Sequence, residues 1–382
     1  MNIININFEK LKTPCFIINK KVLDENIENI LVNCNQIAND VIVGYSLKTN
    51  SEPFLIKYLY KKGLYIEVVS GAEYRKAISL GVKSKKIIYN GVRKDKKTFL
   101  SAIRKKSIVN IDSYIEFKWL LESNIKNREI GLRINLPIDT ELSQFFEFPK
   151  DGSRFGFLYN DDKLQTYINE LKKNNILICG IHIHCNTTNR NSFVYKKIID
   201  HAAELVIKNN IDIKYLDIGG GYLGGKENDF GRYSNIIDTS IKEYKCFDNV
   251  KIIIEPGAAI IATAVEYFCK VIDRKEIKNN IVVTIDGSVV HINPTFSNKK
   301  YKYISNCKNI SSNRHIIICG FTCMERDRIR LDKEINLHIG DYLLFKNMGA
   351  YVMPFVSNFI CNYPSIYLQN EKNLKPLKKE RR

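Results

Sequence analysis

The stretch that decides the fold is Val41-Ile42-Val43-Gly44-Tyr45-Ser46-Leu47-Lys48-Thr49-Asn50. Its first five residues are almost entirely apolar, which is typical of a strand buried on both faces of a parallel sheet. Lys48 follows where the chain leaves that strand. Functional side chains of parallel α/β folds gather at the carboxyl ends of the strands, so Lys48 is the first candidate site residue.

Strand-like and helix-like segments alternate around this stretch, from about residue 25 to about residue 255. Helical spacing follows over residues 52–62, then a strand over residues 65–69 and a helix over residues 72–80. Further strands are expected over residues 86–89, 107–111, 129–134, 177–183, 215–218 and 251–254. About eight such repeats predict an α/β protein with a closed (β/α)8 barrel over residues 22–256.

The pattern changes after Pro256. Residues 281–285, 315–319, 342–345 and 366–368 have the pattern of strands joined by turns. Residues 13–19 are also strand-like and can pair with them. We therefore predict a C-terminal β-barrel or sandwich domain over residues 257–382, joined by an N-terminal strand within residues 1–21. The charged residues 370–382 are expected to form a frayed tail.

The composition indicates a globular protein, since 45% of its 382 residues are hydrophobic. The formal net charge of +18 is spread along the chain, with no arginine-rich helix, so no nucleic-acid partner is expected. The ten cysteines form no C-x-x-C pair, and no metal site is expected. No apolar run reaches membrane-spanning length. The expectation is a cytoplasmic protein without a membrane partner.

Four local features carry chemistry. A partly desolvated Lys48 amine can form a Schiff base, although a solvated lysine is the alternative. Gly219-Gly220-Gly221 follows an apolar strand and lets backbone amides approach a phosphate, or simply allows tight packing.

The other two features are a histidine pair and a glutamate. His182 and His184 alternate on one strand, which suits metal ligation, stacking on a flat cofactor, or a buried core histidine. Glu255 ends an apolar strand and could bond a cofactor ring nitrogen. Residues 320–327 and 348–351 are weaker features by themselves.

In order and spacing, these segments resemble the fold-type III pyridoxal-phosphate enzymes, specifically the diaminopimelate/ornithine/arginine decarboxylase family. That family carries Y-x-x-K-A-N, S-G-x-E, H-x-G-S, G-G-G, E-P-G-R, G-x-x-C-x-x-x-D and G-A-Y. This chain matches these motifs at residues 45–50, 70–73, 184–187, 219–221, 255–257, 320–327 and 349–351. Residues 133–135 and 153–156 match the family's R-x-N and S-K-F-G stretches. The resemblance implies an alanine-racemase-like barrel with a C-terminal β-domain, amino-acid decarboxylation, and pyridoxal 5'-phosphate as cofactor.

The resemblance also implies roles at matching positions. Lys48 would hold the cofactor as a Schiff base, His184 would stack on its pyridine ring, and Glu255 would bond the ring nitrogen. Cys323 would come from a partner subunit, near the face where the product is protonated, which implies a homodimer with shared active sites. Cofactor contacts are further expected from Thr187, Gly219, Gly220, Gly221, Gly257 and Tyr351. Substrate contacts are expected from Arg133, Met324, Asp327 and Tyr351.

The chain also departs from the family pattern. Ala258 stands where the family has an arginine that helps to hold the phosphate, and Asn186 replaces a glycine. Met324 stands where ornithine and diaminopimelate enzymes place an acid that binds the distal ammonium of the substrate. Residues 286–295 also lack the family's R-P-x-x-Y motif, whose arginine contacts the substrate.

These departures predict a modified or conjugated amino acid as substrate, in a specialised pathway such as siderophore, polyamine or antibiotic synthesis. Diaminopimelate or ornithine decarboxylation is the alternative. A catalytically inactive regulatory homologue is another, although Lys48, His184, Glu255 and Cys323 are all present. A racemase would need a tyrosine base and alanine-racemase motifs, which are not found.

Overall fold

A computed structural model describes residues 11–125, 128–136, 153–185, 190–225, 230–293, 295–307 and 314–377. The chain divides into two compact units, of which one is Glu28–Ala258 and the other combines Met1–Ile27 with Ala259–Arg382. None of the described helices is long and apolar enough to cross a membrane.

Helices and strands are numbered along the chain. The helices are α1 (Lys20–Cys34), α2 (Pro53–Lys61), α3 (Gly71–Ser79), α4 (Lys96–Arg104), α5 (Tyr114–Leu121), α6 (Asp162–Lys173), α7 (Phe193–Asn209), α8 (Gly231–Ile241), α9 (Gly257–Ile261) and α10 (Val289–Ile292). The strands of the first unit are β2 (Val41–Ser46), β3 (Tyr65–Ser70), β4 (Ile87–Arg93), β5 (Ile108–Ile111), β6 (Arg128–Asn135), β7 (Phe157–Leu158), β8 (Ile176–His182), β9 (Tyr215–Asp217) and β10 (Lys251–Ile254).

The first unit is a closed parallel barrel, as predicted. Its strands run in the order β5-β4-β3-β2-β10-β9-β8-β6, and pairing of β5 with β6 closes the ring. β7 pairs with the carboxyl end of β6. The strands are buried along most of their length, including Ile66, Val68 and residues 252–254. This double-sided burial explains why the strands have near-continuous apolar sequences rather than alternating ones.

Local sequence fixes where the barrel helices begin. Ser70 Oγ accepts a hydrogen bond from Glu73 N at 3.1 Å, and Glu73 Oε2 accepts one from Val69 N at 2.8 Å. These reciprocal bonds satisfy backbone donors at the start of α3, as in a capping box. Asp95 caps α4 more simply, since its Oδ1 accepts a hydrogen bond from Thr98 N at 2.9 Å. The S-G-x-E motif therefore sets the turn between β3 and α3.

The second unit is mostly β-sheet. Its strands are β1 (Cys15–Asn19), β11 (Val265–Ile277), β12 (Asn280–Ile285), β13 (Lys300–Tyr301), β14 (Tyr303–Ser305), β15 (His315–Cys319), β16 (Arg328–Leu331), β17 (Tyr342–Phe345), β18 (Ser365–Asn370) and β19 (Asn373–Pro376). The main path is β13-β16-β15-β12-β11-β1-β18-β19, and β17 pairs with β11 and β14. The N-terminal strand β1 thus lies between β11 and β18, antiparallel to the first and parallel to the second.

One prediction for this unit is wrong. Residues 373–376, placed in a frayed tail, form β19 and pair antiparallel with β18, with Asn370 opposite Asn373. A two-residue turn joins the strands, and Glu371 adopts a positive φ of 54° within it. A tight turn of this kind lets a polar edge strand form where composition alone indicates a tail. Residues 378–382 lie outside the described residues.

Candidate active site

Lys48 lies at the carboxyl end of β2, on a short 3-10 turn formed by Leu47–Thr49. Its Nζ donates to Ser46 Oγ at 2.7 Å and pairs with Glu67 Oε2 at 3.2 Å. The Lys48 side chain is 39% exposed, whereas that of Glu67 is 1% exposed. The amine is therefore anchored at the strand end and still reachable from solvent.

Glu67 is a site residue that sequence reasoning missed. It lies in β3 between the buried Ile66 and Val68. Ser46 Oγ, which accepts from Lys48, donates to the same Glu67 oxygen at 2.5 Å. An acid inside an apolar barrel strand is the sequence feature that could have indicated a polar function at this position.

Asn90 in β4, also missed, connects the lysine side of the site to Glu255. Asn90 Nδ2 donates to Glu255 Oε1 at 2.5 Å and lies 3.4 Å from Glu67 Oε1. Asn110 in β5 donates in turn to Asn90 Oδ1 at 2.8 Å. A continuous polar chain therefore runs from Lys48 through Glu67 and Asn90 to Glu255.

Glu255 follows β10 and is buried beside a second acid, Asp217. Burial, followed by the negative charges of Asp217 and Glu67, raises the pKa of Glu255 well above its ordinary range. Burial also raises the pKa of Asp217 to about 7, although the hydrogen bond from Gly219 N at 3.0 Å opposes this shift. Because these buried carboxyl groups repel one another when ionised, the protonated form of Glu255 is favoured.

His184 lies just beyond β8 and contacts the glycine turn. Its Nδ1 accepts a hydrogen bond from Gly220 N at 3.0 Å. Burial, followed by the positive charges of Lys48, Arg133 and Arg190, lowers the pKa of His184 to about 3. The imidazole is therefore neutral at physiological pH, with its proton on Nε2.

His182 is buried, and neither of its ring nitrogens has a hydrogen-bond partner within the described part of the chain. A ring nitrogen of His182 and carboxylate oxygens of Asp217 and Glu255 lie within 4.8 Å of one another. These three side chains could together hold a metal ion. The expectation that this site needs no metal stays a prediction.

The glycine turn after β9 has no room for a side chain at its first two positions. Gly219 has a φ of +69° and Gly221 a φ of +107°. A Cβ on Gly219 would lie 2.5 Å from His184 Nδ1, and one on Gly220 would lie 2.6 Å from the Glu255 carbonyl oxygen. Only glycine lets the backbone pass between these two residues.

Of the residues expected to contact the cofactor, Gly257 lies within the described part of the chain and Thr187 does not. A Cβ on Gly257 would lie 2.1 Å from Thr49 Oγ1, so close packing explains this glycine. Ala258, which follows, is half-buried. Asn186 and Thr187 lie outside the described residues.

Arg133 in β6 is buried and already has an acidic partner. Its Nη1 donates to Asp112 Oδ1 at 2.9 Å, and its guanidinium lies 4.3 Å from the centre of the Phe155 ring. A second buried ion pair, Lys94 with Glu116 at 3.1 Å, lies in the same part of the barrel. The expected substrate contact of Arg133 stays a prediction.

The turn that carries Cys323 belongs to the second unit. Cys323 is exposed and Met324 is half-buried. Asp327 is only 2% exposed, and its carboxylate accepts four hydrogen bonds: from Val289 N, Ser288 Oγ, Thr322 N and Thr322 Oγ1, at 2.6–3.0 Å. Both oxygens of Asp327 are thus used inside this unit.

Tyr351, also in the second unit, is exposed and has a φ of 55°. It follows Gly349, where a Cβ would lie 1.8 Å from the carbonyl oxygen of Ile261. The close approach of these two backbones explains the glycine of the G-A-Y motif.

Known proteins resemble this chain in sequence and in fold. A family model described as "Pyridoxal-dependent decarboxylase, pyridoxal binding domain" matches residues 25–262. Diaminopimelate decarboxylase of Aquifex aeolicus is 27% identical over 360 residues, covering 91% of this chain and 84% of the relative. The structure of diaminopimelate decarboxylase from M. jannaschii superposes with a TM-score of 0.84 at 22% identity, covering 97% and 90% of the two chains. Arginine decarboxylase of Paramecium bursaria Chlorella virus gives 0.80 at 22% identity, covering 94% and 96%.

Proposed function

The chain belongs to the family of pyridoxal-dependent decarboxylases, and from that premise we propose that it decarboxylates an amino acid whose distal end is not a free ammonium group. It is a pyridoxal-phosphate-dependent amino-acid decarboxylase, as the sequence resemblance predicted. We propose, in addition, its substrate class, its site residues, its assembly and its cytoplasmic location.

The residues at the carboxyl end of the barrel fit the cofactor. Lys48 offers an anchored amine, Glu255 a buried carboxyl, His184 a neutral flat ring, and Gly219 to Gly221 a backbone free of side chains. When bound, pyridoxal phosphate supplies a protonated ring that accepts the electrons left when the substrate carboxylate departs. The convergence of these side chains at one end of the barrel is the observation that carries the proposal.

Lys48 must lose a proton before its amine can act as a nucleophile. Glu67 Oε2, at 3.2 Å from Lys48 Nζ, can accept that proton directly, and Ser46 Oγ bridges the same two groups. We propose that Glu67 keeps the amine oriented and takes up its proton.

The raised pKa of Glu255 favours its protonated form. A ring nitrogen placed against this carboxyl would share that proton in a charge-assisted hydrogen bond. The Asn90 amide donates a hydrogen bond to Glu255 Oε1 and so orients the carboxyl group. A neutral His184 can pack its ring face against the cofactor without adding positive charge.

Cys323 is the proposed proton donor to the product carbon. Within its own unit the thiol is exposed, and the turn that carries it is tied to Asp327. Since the carboxylate of Asp327 is buried and fully hydrogen-bonded, we propose that it positions this turn, in place of the substrate contact predicted from the sequence.

The substrate class follows from the side chains around the same turn. The thioether of Met324 cannot satisfy a desolvated ammonium. Beside the turn is a cavity of about 460 Å³ whose lining includes four cations and one acid. These are Lys299, Arg326, Arg328, Arg330 and Glu325. An amidated, acylated or anionic distal end suits this surface better than an ammonium.

We further propose a homodimer in which the Cys323 turn completes the site of the partner. Exposed apolar side chains cluster in sequence from the last residue of the G-A-Y motif onward, at Tyr351, Phe355, Phe359 and Ile360. Ile360 is branched at Cβ and still adopts a φ of 53°, a strained conformation typical of functional segments. Large exposed apolar groups of this kind mark interaction surfaces.

Two experiments test the function. Purified protein is first screened for carbon dioxide release across amino acids and their acylated or carboxylated conjugates. Borohydride reduction of the cofactor-loaded protein, followed by peptide mapping, then identifies the modified lysine. We expect Lys48, and a tag on another lysine contradicts the assignment. Efficient turnover of ornithine or diaminopimelate contradicts the proposed substrate class.

Mixing inactive variants tests the shared sites. Lys48→Ala and Cys323→Ala subunits should each be inactive alone. Random reassociation would leave about one quarter of the sites intact and restore activity accordingly. A mixture that stays inactive although the subunits exchange contradicts the shared-site dimer.

A further inference from the structure

The phosphate of the cofactor requires positive charge that the sequence motifs do not supply. A phosphate group carries close to two negative charges at neutral pH. Backbone amides of the turn at Gly219 to Gly221 offer only partial charges. Ala258, at the position of the family's arginine, presents a methyl group. A cation from elsewhere in the barrel is therefore expected near the glycine turn.

Arg190 lies at that turn. Its Nη1 donates to the carbonyl oxygen of Tyr222, the residue directly after the three glycines, at 3.3 Å. Arg190 has a φ of 49°, which is uncommon for a residue other than glycine, asparagine or aspartate. Residues held in such conformations cluster at ligand-binding sites.

Three tyrosines hold Arg190 and the glycine turn in one framework. Tyr233 OH donates to the carbonyl oxygen of Arg190 at 2.9 Å and accepts from Leu223 N at 3.2 Å. Tyr195 OH donates to the carbonyl oxygen of Gly220 at 3.0 Å, and its ring stacks on Tyr222 at 4.7 Å between ring centres. The turn and the arginine are therefore positioned together by buried aromatic packing.

Charge also singles out this arginine. The cations that act on His184, beside the glycine turn, are Lys48, Arg133 and Arg190. Lys48 is paired with Glu67, and Arg133 with Asp112. Within the described ranges, no carboxylate pairs with the guanidinium of Arg190. Its charge is the one of the three that remains available to an anion.

We propose that Arg190 supplies the cation that holds the cofactor phosphate, in place of the arginine absent at Ala258; this inference rests on the function proposed above. A guanidinium has five N–H donors, and one of them is used by Tyr222, so the others can meet phosphate oxygens in the bidentate geometry that arginine favours. Arg190, which follows β8, thus replaces the contact that is lost at Ala258.

The test compares two ligands that differ only in the phosphate. Apoprotein is titrated by equilibrium dialysis with pyridoxal 5'-phosphate and with pyridoxal. We expect Arg190→Gln to raise the dissociation constant of the phosphorylated ligand roughly 10- to 100-fold, as for loss of a charge-assisted hydrogen bond. The dissociation constant of pyridoxal should not change.

Arg104→Gln is the matched control, because Arg104 is an exposed arginine on α4, outside the framework around the glycine turn. It should bind both ligands as the wild type does. Adding Ala258→Arg to Arg190→Gln should restore affinity for the phosphorylated ligand. If far-UV circular dichroism shows that Arg190→Gln is misfolded, Arg190→Lys takes its place, with a smaller loss expected.

Equal losses for both ligands, or no loss for either, would overturn the inference. A lysine variant that binds the phosphorylated ligand as tightly as the wild type does would contradict the bidentate role of the guanidinium. Wild-type protein that binds neither ligand would contradict the proposed function instead, so the two failures can be distinguished.

Discussion

Replacing Asp327 by asparagine should destabilise the second unit and loosen the Cys323 turn. The carboxylate accepts four hydrogen bonds, one at Oδ1 from Val289 N and three at Oδ2. An amide has a single acceptor oxygen, so its NH2 group must face at least one of these donors. A buried donor without a partner costs about 1–3 kcal/mol, and neutral acceptors form bonds about half as strong as charged ones. We expect the free energy of unfolding to fall by about 3–5 kcal/mol.

The assay combines urea unfolding with hydrogen exchange. Asp327→Asn should lower the urea midpoint and speed exchange at the amides of Val289 and Thr322, which donate to Asp327. Turnover should also fall, since the turn carrying the proposed proton donor is no longer fixed.

Asp332→Asn is the control, because Asp332 is exposed and lies close in sequence. It should change neither stability nor exchange measurably. If the two variants have the same midpoint, and the Val289 and Thr322 amides keep their protection, the anchoring role of Asp327 is wrong.

Three further predictions concern the site. Glu255→Gln removes the shared proton and should cut turnover strongly while substrate binding changes less; an unaltered turnover number at saturating cofactor would refute the role. Met324→Glu should shift preference toward free diamino acids, measured as relative kcat/KM, and unchanged preference would argue against a distal pocket there. His184, with its pKa of about 3 in place of 6.5, should show no NMR inflection between about pH 5 and pH 8. Because the folded pKa is the lower one, the stabilisation by neutral His184 should be lost as pH falls below 6.5.

The barrel and the ends of its strands were predictable from the sequence because burial on both faces leaves a simple apolar pattern. The positions of Lys48 and Glu255 could be predicted because each follows such a strand, at the edge where a parallel barrel gathers its polar groups. The structure then gave the link between them. Glu67 and Asn90 lie within strands, and whether they face inward or outward depends on how the ring closes. No local pattern carries that information.

The second unit was harder to predict in detail. β11 is the longest strand of the described residues. Its later part is charged, from Asp273 to Glu276, so a search for apolar runs does not find it. β19 is only four residues long, pairs with β18 across a tight turn, and packs a single large apolar side chain, Leu374, against the core. The role of Asp327 was also missed, since four donors from separate segments meet it only after folding.

The position of β1 in the second sheet has a consequence for how the chain folds during synthesis. Cys15 pairs with Phe268, and also with Ser365 on its other side. At about 5–20 residues per second, a ribosome takes on the order of 10–50 s to make the roughly 250 residues that separate β1 from its first partner. During that interval the four apolar residues Cys15 to Ile18 have neither of their partner strands, β11 and β18, to pair with. The barrel between them can form meanwhile, but β1 must be kept from pairing with the wrong edge, because contacts between segments so far apart in sequence form more slowly than local ones.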